Sequence, residues 1–132
     1  MISMSATRPD TLGHSNGRLA ECPTSPNCVA TQSGDEQQRM LPVKYSTDAG
    51  QALENIKSMV AKKFSRAKLV REDGNYLHYE FTSLIFRFVD DVEFLVDDKA
   101  KEIHFRSASR VGHSDLGANR KRMQTLVDEL NQ

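Results

Sequence analysis

FRFVDDVEFLVDDKAKEIHFRSASRVGHSDLGANRKRMQTLVDEL, residues 86–130, is the stretch that decides the fold of this chain of 132 residues. Its first half contains two runs in which apolar and polar residues alternate, and its last part has apolar residues three to four positions apart. Alternation is typical of a strand with one buried face, and the wider spacing is typical of an amphipathic helix. We therefore predict strands at about residues 86–96 and 101–109, followed by a closing helix.

The polar turn at residues 97–100 sets the register of these two predicted strands. Closing the hairpin over this turn brings Val96 opposite Lys101, and the other pairs follow by counting outward. Cross-strand pairs of opposite charge stabilise a sheet by about 0.2–1 kcal/mol each, and by less when solvent screens them. The register predicts two apolar pairs on one face and two polar pairs on the other: Val92–Phe105, Phe94–Ile103, Glu93–His104 and Asp91–Arg106.

A helix at about residues 48–64 and a hairpin are predicted ahead of these strands. Asp48 is a typical N-cap residue, and Gln51 stands three positions later as its capping-box partner. The apolar residues that follow fall on one helical face. Asp73 and Gly74 form a typical hairpin turn, which joins two further strands.

The first 45 residues differ from the rest because they show neither helical nor strand periodicity. They are rich in Ser, Thr, Pro, Gly, Asn and Gln, and residues of these types favour turns and loops. We predict that residues 1–45 form an irregular arm, part of the same domain as the core, residues 46–132. The predicted fold class is α+β, with a four-stranded antiparallel meander, two covering helices and this long irregular N-terminal arm.

The charge of the chain is balanced overall but segregated locally. Eighteen Lys and Arg residues match eighteen Asp and Glu residues, so no global field favours nucleic acid or an anionic membrane. Residues 86–98 nevertheless carry a net charge of −4, and residues 99–122 carry a net charge of +5. We therefore expect local patches to decide binding, and we expect no nucleic-acid partner.

No run of the sequence approaches the roughly 18 apolar residues of a membrane span. The first twenty residues also lack the apolar segment of a secretion signal. The sequence therefore predicts a soluble protein without a membrane span. The predicted compartment is cytoplasmic for the chain as it stands, or periplasmic or otherwise extracytoplasmic if a leader has been removed.

Two cysteines, Cys22 and Cys28, stand six positions apart around two prolines. They form a short disulfide loop in an oxidising compartment, or they stay as two free thiols in a reducing one. A metal site needs more ligands than this pair supplies, and the four histidines do not have metal-ligand spacing. We predict neither a metal nor a cofactor.

The candidate site lies in the charged half of the decisive stretch. Arginine and hydroxyl side chains hold anions through charge-assisted hydrogen bonds, and a helix N-terminus adds further N–H donors. The predicted ligand-binding residues are Arg106, Ser107, Ser109, Arg110, Ser114, Asn119 and Arg120. The predicted acidic partners, with a structural role, are Asp90, Asp91 and Glu93.

Arg120 is the most unusual residue of this set. We predict that Ser114 or Asp115 caps the last helix, and Arg120 then falls on or near its inward face, beside apolar positions. A cation in the first turns of a helix costs about 0.3–1 kcal/mol unless an anion is near. We therefore predict that the Arg120 guanidinium points into a cavity at the end of the sheet. It would be held there by Asp90 or Glu93, or by a bound anion.

The function we favour is a non-catalytic binding module for an anionic small molecule or an acidic protein segment. One alternative is a hydrolase-type enzyme that uses Asp90 or Asp91 with His104 or His113. Another is a structural or assembly protein whose acidic and basic patches pair between subunits. No residue is assigned a catalytic role, and the sequence does not set the oligomeric state.

Three motifs resemble those of one known family, and they occur in the same order. They are ECPTSPNCV at residues 21–29, FRFVDDVEF at residues 86–94 and RSASRVGHSDLGANRKR at residues 106–122. Over roughly residues 8–130 the chain resembles the family called domain of unknown function 1499. The resemblance implies no established activity. Related chains often carry a leader or membrane segment ahead of the cysteine motif, which would suit a disulfide, whereas this sequence shows no such segment.

Overall fold

The computed structural model describes residues 8–23, 27–83, 88–110 and 117–131. Within these ranges the chain forms two helices, a main antiparallel sheet of six strands and a separate pair of short strands. The α+β fold class is therefore confirmed. The elements in chain order are β1 His14–Ser15, β2 Arg18–Leu19, β3 Cys28–Ala30, β4 Val43–Lys44, α1 Ala49–Lys63, β5 Ala67–Asp73, β6 Tyr76–Thr82, β7 Val89–Asp97, β8 Glu102–Ser109 and α2 Ala118–Leu130.

The main sheet extends the predicted meander by two strands from the arm. β5, β6, β7 and β8 are consecutive antiparallel neighbours, as predicted. β3 and β4 both pair with β8, on the edge that β7 leaves open. The prediction of four strands and an irregular arm was wrong in this respect. Strands of two or three residues are too short to show a period of two, so the sequence pattern does not reveal them.

The β7–β8 hairpin has a register two residues away from the predicted one. Its turn comprises residues 98–101, so that Asp97 pairs with Glu102. Lys101 adopts a left-handed conformation with φ of 57°, which residues other than glycine adopt uncommonly. A shift of two keeps every side chain on its predicted face. The observed pairs are Val96–Ile103, Phe94–Phe105, Glu93–Arg106 and Asp91–Ala108.

Helix α1 begins at the predicted N-cap. The Asp48 carboxylate accepts a hydrogen bond from the backbone N–H of Gln51 at 2.8 Å, which satisfies one of the free donors in the first turn. The Gln51 side chain donates to Asn55 instead of returning to the cap. The N-cap bond is therefore confirmed, whereas the reciprocal capping box does not form.

Helix α2 begins at a different cap from the predicted one. Its N-cap is Gly117, with φ of 81°, and Ser114 and Asp115 lie outside the described residues. Met123 and Leu126 are buried in the core, as the apolar spacing predicted. Among the described residues, neither helix combines the length and apolar character that a membrane crossing requires.

The main sheet is covered on both faces. The two helices pack on the face that carries Val92, Phe94 and Phe105, and the core lies between them. The arm covers the opposite face, where Leu19 packs against Tyr76 and Leu95. Side chains along β7 are therefore buried on both sides of the sheet. A charged group on this strand is costly unless a partner meets it.

Candidate functional site

The sheet separates the predicted site residues into two groups. Successive side chains of a strand point to opposite faces, so Arg106 lies on the face covered by the arm and Ser107 on the face covered by α2. Arg110 follows Arg106 on the arm side, where its guanidinium reaches Asp91. The predicted single constellation therefore becomes two clusters, one against α2 and one against the arm.

The cluster against α2 is a buried polar network. The Arg122 guanidinium donates to the Asp90 carboxylate and to the side-chain oxygen of Asn119, each at 2.8 Å. The Ser107 hydroxyl also donates to that oxygen, and the Asn119 amide donates to the Ser109 hydroxyl at 2.9 Å. These groups satisfy one another, and such networks fix the packing of the elements they join. The network holds α2 against β7 and β8.

Arg120 does not enter this network. Its guanidinium is exposed and donates to the backbone carbonyl of Gln37 at 2.7 Å. The prediction that Asp90 or Glu93 holds Arg120 in a cavity was wrong, because Arg122 takes the position beside Asp90. The two arginines flank opposite sides of the buried stripe of α2. Which side meets β7 depends on how the helix crosses the sheet, and the sequence does not specify that angle.

We expect Arg122→Met to lower the free energy of unfolding by about 3–5 kcal/mol, because the change leaves Asp90 buried without its cation. Arg120→Met is the matched control on the same helix, with an expected loss of less than about 1 kcal/mol. Urea denaturation of both variants measures the difference. Equal losses in the two variants would contradict the assignment of Arg122 to the network.

The cluster against the arm is a chain of alternating charges across three strands. Arg110 donates through Nε and Nη2 to the two oxygens of Asp91, each at 2.8 Å, and Nη2 also donates to Glu80 at 2.5 Å. His78 Nε2 lies 2.7 Å from the Asp91 carboxylate. Arg8 binds Glu80 from the arm at 2.6 Å. Bidentate pairs of this kind are the strong ones among ionic hydrogen bonds, so Arg110 is firmly committed to these two acids.

These contacts keep both acids ionised. Burial acts to raise the pKa of Asp91, but the hydrogen bonds from Arg110 and His78 outweigh it, and the pKa is lowered. Burial is also outweighed at Glu80, where Arg110 and Arg8 lower the pKa of the carboxyl group. The pKa of Arg110 is raised, chiefly by its hydrogen bond to Asp91.

The lowered pKa values predict that acid destabilises the fold through this cluster. A carboxyl group with a lower pKa in the folded than in the unfolded state contributes stability above its unfolded pKa, about 4 for Asp and Glu, and loses it as the pH falls through the folded pKa. We expect the melting temperature of the wild type to fall below about pH 4 for this reason. Arg110→Gln should lower the melting temperature at pH 7 and flatten this acid-dependent fall. Parallel curves for the two proteins would show that the pair does not cause the fall.

Glu93 lies on the same face, and its strongest bonds come from elements other than β8. Its fully buried carboxylate accepts hydrogen bonds from the Gly13 backbone N–H at 2.8 Å and from the Tyr76 hydroxyl. Burial and then the bond to Glu93 raise the pKa of Tyr76, so Tyr76 stays a neutral donor. The Gly13 backbone has φ of 113°, which favours glycine. Cross-strand Arg106 is farther away, with 3.4 Å between its Nη1 and the Glu93 oxygen.

Arg106 is therefore buried without a tight ionic partner among the described residues. Its side chain is only 7% exposed. Within the same part of the chain, its Nε is a buried donor that has no hydrogen-bond partner. Leaving such a donor unsatisfied costs about 1–3 kcal/mol, and more for a charged group. A group of this kind in a folded protein requires an explanation.

Arg106 lines a cleft of about 450 Å³ between the sheet and the arm. This volume is within the range of small-molecule sites. The residues of the sheet wall are Asp91, Arg106, Ala108, Ser109 and Arg110, and those of the arm wall are Pro9, Thr11, Ala20, Glu21 and Pro23. The cleft thus brings together three of the predicted ligand-binding residues. Arg120 lines a different cleft, on the helix side.

His78, Glu80 and Asp91 also meet the spacing of a metal site, since their ligand atoms lie within 4.8 Å of one another. The guanidinium of Arg110 already bonds to both carboxylates. A metal ion would have to displace this cation. The group is therefore better described as the acidic half of an internal ion network.

Comparison with family models gives one match over most of the chain. Residues 18–130 match the family described as "Protein of unknown function (DUF1499)". The chain belongs to this family. The match begins at β2 and ends at the last residue of α2, so the DUF1499 region includes the cysteine pair, the cluster against α2 and the sheet residues of the cluster against the arm, whereas Arg8 and Gly13 precede it. A search of curated proteins found no match.

In this DUF1499 protein a disulfide joins Cys22 to Cys28, with 5.8 Å between their Cα atoms. The two cysteines pack against Ala30 and Ala108. Ala108 and Pro23 both line the cleft. The bond therefore fastens the arm wall to the sheet wall next to Arg106.

We expect the double substitution Cys22→Ser/Cys28→Ser to lower the stability of the arm by about 2–3 kcal/mol, which is the value that the chain-entropy model gives for so short a loop. The loss should be local, so that amide hydrogen exchange accelerates at residues 18–23 and stays slow at residues 92–96. Hydrogen exchange followed by mass spectrometry measures both segments. Equal acceleration in the two segments would mean that the disulfide supports the whole DUF1499 fold.

The sequence prediction missed six residues that complete these clusters: Arg8, Gly13, Tyr76, His78, Glu80 and Arg122. A signal existed for His78 and Glu80, because the alternation of β6 placed both on the polar face. The pairing of β6 with β7 then brings them beside Asp91. No comparable signal marked Gly13, whose contact with Glu93 spans 80 positions of sequence in this DUF1499 chain.

Proposed function

We propose that this DUF1499 protein is a non-catalytic binding module that takes an anionic ligand in the cleft between the arm and the sheet. The observation that supports the proposal is the state of Arg106, a buried cation that lines the cleft and whose Nε has no hydrogen-bond partner within the described part of the chain. An anion placed against the cleft side of this guanidinium would give it a charge-assisted partner. It would also offset the free-energy cost of burying the positive charge of Arg106. The contact with Glu93 at 3.4 Å compensates only a small part of this cost.

The neighbouring charged groups have a supporting role in this proposal. Arg110 keeps the Asp91 carboxylate in place and adds positive charge to the cleft wall, while its own donors remain on Asp91 and Glu80. Ser109 contributes to the same wall, although the Asn119 amide donates to its hydroxyl. Ser107, Asn119 and Arg120 belong to the helix side of the sheet, so the proposed site does not include them.

The hydrolase alternative gains no support from these contacts. Asp91 has a lowered pKa and accepts two hydrogen bonds from Arg110, so it is a weak general base. Its histidine partner is His78, which is 3% exposed, whereas His104 bonds to Thr31. His113 lies outside the described residues.

The assembly alternative requires the acidic and basic patches to be available to a second subunit. The acids of β7 instead meet cations of the same chain, as the contacts of Asp90 with Arg122 and of Asp91 with Arg110 illustrate. These groups are buried or half-buried. The binding proposal is therefore the one that the geometry supports best.

A thermal-shift screen against phosphates, carboxylates and other small anions tests the proposal. A ligand that binds the folded state raises the stability by about 2.7 kcal/mol at a hundred times its Kd, which corresponds to several degrees in the melting temperature. We expect at least one class of anion to produce such a shift in the wild type. Arg106→Gln should abolish the shift.

Arg120→Gln is the matched control, because it removes an arginine that is exposed and lines a different cleft. It should leave the ligand-induced shift unchanged. Arg106→Lys adds a second measurement, since it keeps the charge and loses the planar pair of donors; we expect a reduced shift. Shifts that are equal in the wild type and in both Arg106 variants would refute the proposed site.

A further inference from the structure

We infer that the ligand of the Arg106 cleft is a small monocarboxylate with a short apolar body, an inference that rests on the proposed function and narrows it. Within the described residues the cleft contains a cation, Arg106, whose hydrogen bonds are incomplete. An acidic residue lies on each wall, Asp91 on the sheet and Glu21 on the arm, and much of the remaining lining is apolar. A ligand that matches this arrangement carries one negative charge at one end and hydrocarbon at the other.

The inference that the ligand carries a single negative charge follows from the ion pairs that Arg106 and Arg110 of the sheet wall already make. Arg110 already binds the Asp91 carboxylate through two donors at 2.8 Å, and it binds Glu80 as well. Arg106 keeps a buried Nε without a partner among the described residues and contacts Glu93 at 3.4 Å. The wall therefore offers one cation for a new ion pair. A carboxylate suits that cation, because its two oxygens match the fork of donors on a guanidinium.

Acidic neighbours argue against ligands of higher charge. Asp91 on the sheet wall and Glu21 on the arm wall both line the cleft, and the lowered pKa of Asp91 keeps it ionised at neutral pH. A dicarboxylate or a phosphate dianion would place its additional charge against these groups. Repulsion between like charges at close range in a partly buried site is strong.

The inference that the ligand has an apolar body follows from the other residues that line the cleft. Pro9, Ala20 and Pro23 of the arm and Ala108 of the sheet give the cleft hydrocarbon walls. Each methylene group that these walls bury strengthens binding by roughly fourfold. The volume of about 450 Å³ accommodates a short chain or a single ring.

Titration of the full chain by isothermal calorimetry or by amide NMR with a graded set of acids tests the inference. The set comprises acetate, butanoate and hexanoate, with hexanamide as the uncharged analogue, and butanedioate and inorganic phosphate as the more highly charged ones. We expect butanoate to bind about 15-fold more tightly than acetate, because it adds two methylene groups, and hexanoate to bind more tightly again. Hexanamide, butanedioate and phosphate should bind at least tenfold more weakly than hexanoate.

Two variants locate the binding. Arg106→Gln should weaken hexanoate at least tenfold, with Arg120→Gln as the unaffected control. If Arg106→Gln does not fold, Arg106→Lys serves in its place, because it retains the cation. Ala20→Leu narrows the arm wall without touching Arg106, so it should weaken hexanoate and leave acetate nearly unchanged.

The outcomes separate this inference from the proposed function. If phosphate or butanedioate binds as tightly as hexanoate and depends on Arg106, the cleft is an anion site and the monocarboxylate inference is overturned. The inference is also overturned if affinity does not rise with chain length. If none of these anions binds in a way that depends on Arg106, both the inference and the proposed function fail.

Discussion

A carboxylate buried on a central strand is destabilising by several kcal/mol unless cations or hydrogen-bond donors surround it, and β7 carries three such groups. Each carboxylate meets its own arginine, and the three pairs are Asp90–Arg122, Asp91–Arg110 and Glu93–Arg106. The first pair fastens α2 to the sheet. The second fastens the end of β8 and, through Glu80, the beginning of the arm. The third is looser, because Glu93 is already held by Gly13 and Tyr76. Its arginine, Arg106, lines the cleft beside Arg110.

Alternation in the sequence was sufficient to predict which face of the sheet each side chain occupies, but it was not sufficient to predict how the strands pair. The four strands of the meander and both helices were predictable, because each is long enough to show its own period. The predicted register was wrong by two residues. The turn places Lys101 in a left-handed conformation, which a sequence normally indicates by Gly or Asn at that position. β3 and β4 were missed for a different reason. They are stabilised by pairing with the edge of β8. A local sequence of two or three residues therefore contains no pattern that predicts them.

The candidate site was predictable as a set of residue types, and its geometry was not. The charged cluster around Arg106 and Arg110 could be identified, because seven basic residues follow five acidic ones in the region from residue 86 to residue 122. Alternation places Arg106 and Ser107 on opposite faces of the sheet, but the sequence could not show which elements cover those faces. Nor could it decide between Arg120 and Arg122, which flank the same apolar stripe. That decision depends on the angle at which α2 crosses β7, a property of tertiary packing.

The pairing of the arm with β8 has a consequence for the order in which the protein forms on the ribosome. β3 and β4 are synthesised early, whereas the strand that receives them is the last strand of the main sheet. The nascent arm therefore has no edge to join until β8 has been made. The meander needs only neighbouring hairpins, and contacts between neighbours form faster than contacts between distant segments. The two arm strands can thus join the sheet only after the whole meander has been made, so the arm cannot complete its cover of the face that carries Asp91 and Glu93 before that point.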